Sequence, residues 1–253
     1  MLPKFLAAVL LAHGVGFGLA SPIASRAENA NSSFTHEVRW STRVQIAPAF
    51  PIHESCNITL QRQLSRALDE TVTLAKHAKE HILRWGDESP FVQKYFGNGS
   101  TAVPIGWYER VVSADRGAML FRCDDPDKNC ATQDAWAGHW RGSNATEETV
   151  ICDLSFQKRR WLDSVCGLGY NVAESALNTF WATDLLHRVY HVPQISEGIV
   201  DHFAHSYTEA LELAKTDPSK AGIDSNILQY FAIDVYAFDI AAPGEGCSGE
   251  VAE

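Results

Sequence analysis

Apolar positions change period three times along this chain. From Thr59 onward, Leu60, Leu64, Ala67, Leu68, Thr71, Ala75 and Ile82 fall on one helical stripe, so the spacing predicts a long amphipathic helix to about Trp85, stopped by Gly86. "FVQKYFGNGS" closes a second, short helix on a Gly-Asn-Gly turn. Between Val103 and Cys152 the helical period is lost. The runs "GWYERVVSA", "AMLFRC" and "ETVICDL" there predict a small antiparallel sheet. After Ser164 the helical pattern returns in "NVAESALNTFWATDLLHRVYHV", ending before Pro193, in "SEGIVDHFAHSYTEALELAKT", ending before Pro218, and in "SNILQYFAIDVYAF". Alternation in "HEVRWSTRVQIAP" predicts a strand ahead of all of these. The sum is an α+β domain with a helix-rich C-terminal half.

The start of the chain follows another logic. "MLPKFLAAVLLAHGVGFGLASP" sets one lysine before an apolar run ending in small residues, the pattern of a signal peptide over residues 1–20, cut after Ala20. Residues 21–38 are polar and read as a flexible lead-in. One domain over 39–253 follows, with no second membrane segment. Four Asn-x-Ser/Thr triplets, at Asn31, Asn57, Asn98 and Asn144, become glycan acceptors once the chain is secreted. The six cysteines, Cys56, Cys123, Cys130, Cys152, Cys166 and Cys247, make an even count without a CxxC pair, which favours disulfides over a zinc knuckle. A Cys56–Cys247 bridge would tie the ends together. "CDDPDKNC" reads as an acidic turn closed by its own two cysteines; it lacks the spacing of a helix-loop-helix calcium site. The net charge of −10 disfavours nucleic acid and anionic membranes and favours cations.

Candidate chemistry sits in "TDLLHRVYHVP". His187 and His191 are four apart, so on a helix both imidazoles face one ion. A third ligand is available close behind in "VDHFAHSY", from Asp201, His202 or His205; as a helix, this stretch puts Asp201 and His205 on one face and His202 about 100° away. In a hydrolytic zinc site the residue after the first histidine is the glutamate that takes a proton from metal-bound water. Here it is Arg188, which cannot be deprotonated. Its charge would repel a divalent ion about 6 Å away by roughly 5 kcal/mol at an effective dielectric near 20, so an acid must offset it or Arg188 must point away from the ion. Asp184 and Asp201 are the nearest, with Glu197 and Glu209 further off. Asp184 is alternatively an acceptor that orients a ligand histidine. His77 and His81, on the long helix, lie toward its polar side and read as solvated.

"FWATDLLHRVYHVPQISEGIVDHFAHSY" with "LQYFAIDVYAFDIA" resembles the fungal HRxxH family of secreted pH-regulated antigens, zincophores and major mould allergens, itself similar to the aspzincin (deuterolysin-type) metallopeptidases. The resemblance implies a single zincin-like metalloprotease domain stabilised by disulfides, with Zn2+ on His187, His191 and preferably Asp201, and Arg188 at the catalytic glutamate's place. It also implies a Cys152–Cys166 pair around "CDLSF". By the same resemblance the protein is secreted, extracellular or associated with the cell wall or surface, binds zinc, and meets cell-surface, transporter or host proteins. The end, "GEGCSGEVAE", holds no histidine, which leaves zinc to the helix site. Three readings follow: a catalytically inert zinc binder serving zinc acquisition or surface interaction, an active peptidase using Glu197 or Glu209 as base, and a metal-free interaction protein.

Overall fold

The computed structural model describes residues 49–249, which fall within one unit spanning Gln45–Glu253. The expected signal peptide, the polar lead-in, the strand in "HEVRWSTRVQIAP" and Asn31 lie outside the described residues.

Among the described residues, ten α-helices and three short strands follow one another. They are α1 (Ile58–Trp85), α2 (Pro90–Phe96), α3 (Ala102–Ser113), β1 (Leu120–Arg122), α4 (Asn129–Thr132), β2 (Gly138–Trp140), β3 (Glu148–Ile151), α5 (Asp153–Lys158), α6 (Trp181–His191), α7 (Pro193–Ser196), α8 (Tyr207–Thr216), α9 (Pro218–Ala221) and α10 (Ser225–Tyr236). The long amphipathic helix is α1. Its buried stripe of Leu64, Ala67, Leu68, Thr71, Ala75 and Ile82 is the one the sequence predicts, and Asn57 starts it by accepting from the Thr59 and Leu60 N–H groups. That stripe packs along α3, α6 and α10, and its burial is the main force holding the helical layer together.

The sheet is mixed, in the order β1-β3-β2, with β1 parallel and β2 antiparallel to β3. This corrects the expected antiparallel sheet. "GWYERVVSA" is not a strand but the body of α3, in which Pro104, Tyr108 and Val111 bury one helical face. Its β-branched pair Val111-Val112 suggested a strand, but tertiary packing overrides so weak a propensity. Helix α6 begins only at Trp181, because side chains of Asn171 and Ser175 bond nearby backbone N–H groups and favour turns before it.

Three disulfides join Cys56–Cys123, Cys130–Cys152 and Cys166–Cys247. The expected Cys152–Cys166, Cys56–Cys247 and Cys123–Cys130 pairs do not form. Cys152 closes β3 and starts α5 beside the acidic loop, which brings it to Cys130, whereas the chain beyond α10 runs back to Val172 and Ala173 and presents Cys247 to Cys166. In the acidic loop, Asp124 pairs with Arg122 and Asp127 with Arg141.

Candidate metal centre

Helix α6 is buried on most of its circumference, and its last turn delivers His187 and His191 to one side. Their Nε2 atoms stand 3.0 Å apart, and the Nε2 of His202 lies 3.3 Å from that of His191. Two nitrogens bound to one tetrahedral zinc at 2.0–2.1 Å are separated by about 3.3 Å, so this spacing suits a shared zinc ion. Among the described residues only two groups of three ligand-type side chains converge within 4.8 Å, this trio and Cys130, His139 and Cys152. In the second, both cysteines are spent in a disulfide.

His202 arrives from a loop. The chain between α7 and α8 is not the helix the sequence suggests. Glu197 and Gly198 take left-handed backbone, and α8 starts only at Tyr207, capped by Ser206. The buried carboxylate of Asp224 holds this loop: it accepts from the N–H groups of Phe203 and Ala204 and caps α10 through Ile227. Asp201 is exposed, with Oδ1 turned to the N–H of His202, and stays outside the trio. His205 is likewise exposed and outside it. Of the three candidates for a third ligand, His202 is therefore the one the fold brings to the pair. Helical geometry would set His202 about 100° from Asp201 and His205; because the stretch is a loop, that restriction does not hold.

The remaining acids have other partners. Glu197 pairs with Arg110 at 2.6 Å, and Glu209 accepts from the His205 N–H at 2.7 Å at the start of α8. Arg188 is buried along the cleft, and its Nε and Nη2 donate to the two carboxylate oxygens of Asp184 at 3.0 and 3.1 Å. Asp184 thus serves as the counter-ion of Arg188, not as an acceptor for a histidine ring. A second cation, Arg159, donates to the same carboxylate at 3.1 Å. Gly138 makes room for this arrangement, since a Cβ there would lie 2.9 Å from Nη1 of Arg188.

Second partners fix the histidines. The Gln229 carboxamide lies 3.0 Å, and the Ser225 hydroxyl 3.4 Å, from Nδ1 of His187. The same Gln229 Nε2 donates to the Ser225 backbone carbonyl at 2.9 Å, which fixes the carboxamide beside the ring. Trp140, on the edge strand β2, stacks on His191 at 6.2 Å and 10°. Burial, followed by charge repulsion from the neighbouring histidines and Arg188, pushes His187 well below the ordinary imidazole range and His191 down to about 4. Both rings are neutral at physiological pH, the form that ligates metal. Asp224 could have been read in the sequence as a helix cap before "SNILQYF"; Arg159, Trp140 and Gln229 carry no local signal, because only the tertiary fold brings them here.

His77 and His81 are not solvated as expected. Both hold the carboxylate of Asp239, at 2.9 and 2.7 Å, and His81 is buried with Ser89 on its other nitrogen. The π-helical segment Ala237–Ala241 after α10 lays Asp239 over α1, a contact that α-helical periodicity alone does not reveal.

The fold is similar to that of a zinc peptidase from Grifola frondosa, with a TM-score of 0.51 at 16% identity, over 71% of this chain and 97% of that one. The HRXXH family, described as "Putative peptidase family", matches residues 6–250, and this chain belongs to it. It is 55% identical over 230 residues to the major allergen Asp f 2 of Aspergillus fumigatus, covering 90% of this chain and 72% of the allergen. Identity to the pH-regulated antigen PRA1 of Candida albicans is 49% over 212 residues, or 83% of this chain and 71% of the antigen. Protein ZPS1 of Saccharomyces cerevisiae is 31% identical over 250 residues, covering 96% and 97% of the two chains.

Proposed function

We propose that this is a secreted zinc-binding protein built on a peptidase fold that does not cleave peptides, serving extracellular zinc acquisition or surface interaction. The observation that carries this reading is the convergence of three histidine nitrogens at 3.0 and 3.3 Å beside an arginine paired with Asp184. His187, His191 and His202 would hold zinc, leaving one position of a tetrahedral ion open. A zinc ion there would supply Lewis-acid polarisation of whatever occupies that position. Hydrolysis further requires a base within reach of the attacking water. Arg188 cannot accept a proton, and the engagement of Glu197 with Arg110 and of Glu209 with the α8 start argues against either acid as its replacement.

Three disulfides suit an oxidising, extracellular setting. Among the described residues no helix is long and apolar enough to cross a membrane. The triplet asparagines Asn57, Asn98 and Asn144 are exposed, as glycan attachment requires. The test is a cleavage assay on zinc-loaded protein with casein, with and without chelator. No release of peptides is expected; chelator-sensitive cleavage would overturn the inert half of the reading.

A further inference from the structure

We propose that the cleft between α6 and the edge strand β2 is a carboxylate-binding subsite, in which Arg159 and Arg188 hold the carboxylate of a peptide chain end or a small organic acid beside the three histidines. The inference deepens the zinc-binding reading and names the class of ligand the site takes along with the ion.

Charge is the first argument. Two guanidinium groups share one buried carboxylate, Asp184, with side-chain exposures of 8% for each arginine and 3% for the aspartate. One positive charge is left over inside a chain whose net charge is −10. Buried charge is retained when it is paired, and a cation left unpaired costs free energy. Zinc on the histidines would add two more positive charges to the same cleft, so an anion is the missing component.

Geometry is the second. The cleft, about 400 Å³, is lined by Arg159 and Arg188 together with His187, His191, Gly138 and Trp140. Nε of Arg159 is buried with no acceptor, and among the described residues no acceptor meets Nη1 of either arginine. Planar guanidinium forks match carboxylates in two-point contact. Beta strand β2 pairs with β3 on one side only, and Gly138 and Trp140 alternate with His139, so their backbone groups face away from β3. A peptide main chain entering the cleft meets those groups, which an isolated small acid would not use.

An arginine at position 188 thus makes the cleft attract carboxylates, where a glutamate there would repel them. The test titrates zinc-loaded protein, with zinc content measured on the same sample, using an N-acetyl tripeptide as free acid, the same tripeptide as C-terminal amide, and acetate. The free acid is expected to bind at least about tenfold more tightly than the amide. Arg159→Gln is expected to remove most of that preference at unchanged zinc content, and Arg159→Lys to retain part of it. Acetate equal to the free acid would assign the site to small acids; a peptide acid stronger than acetate would assign it to chain ends. Equal binding of acid and amide, or an unaltered preference in a folded Arg159→Gln protein, would overturn the proposal. The titration is repeated on chelator-treated protein, where the arginine pair alone should still favour the acid. A protein that fails to take up zinc therefore sinks the zinc reading while the carboxylate preference is still decided.

Discussion

Arg188 lies against the three histidines with a fixed positive charge, and Asp184 makes that tolerable by taking it in two hydrogen bonds. Arg188→Gln breaks a buried ion pair and should cost about 3 kcal/mol of stability, softened by Arg159, which remains on the carboxylate. The same change removes repulsion and should raise zinc affinity several-fold, read by competition with a chromophoric chelator. Unchanged affinity would mean that position 188 does not influence the ion. At this scale the helix-borne residues were legible in the sequence. His187 and His191 follow from a four-residue spacing, and Asp184, one turn before Arg188, was one of the two acids offered as its partner. His202 was open among three candidates, because ligand choice depended on whether residues 197–206 form a helix.

That loop is the element on which the site turns. Asp224 holds it through two backbone N–H groups while capping α10, so one carboxylate sets both the position of His202 and the start of the helix bearing Gln229. Asp224→Ala should lower stability by about 2 kcal/mol in urea unfolding, since charge-assisted bonds to backbone groups are lost in a buried place. It should also weaken zinc binding about 10- to 100-fold, the usual effect of removing a group that orients a ligand. Gln229→Ala should produce a similar loss of affinity with a smaller loss of stability. Most elements could be read from periodicity where one face is buried, as in α1. The misreadings have common causes: α3 carries a β-branched pair on a helix, and the stretches before α6 and α8 have helical composition but capping side chains that divert their backbones into turns.

For the whole molecule, three disulfides and acid-sensitive histidines set the working range. The Cys166–Cys247 bridge closes a loop of 81 residues, and replacing both cysteines by alanine should cost about 2–5 kcal/mol in chemical unfolding. The pairing itself was not legible, because it depends on which chain segments the fold brings together. His191, neutral when folded and titrating only near 4, contributes stability that is complete above the ordinary imidazole pKa of about 6.5 and is lost as pH falls toward 4. In zinc-free protein the stability difference between wild type and His191→Gln should therefore shift against the wild type across that window. Proton competition for zinc at His187 and His191 should likewise begin below the range of exposed histidines, so zinc is kept into mildly acidic conditions. The most direct test of the account is the zinc content and affinity of the purified protein beside its His202→Ala and Asp201→Ala variants. We expect about one zinc per chain in the wild type and in Asp201→Ala, and a loss of at least about a hundredfold in affinity in His202→Ala. Zinc lost with Asp201 and kept without His202, or no zinc in any of the three, would contradict the three-histidine site.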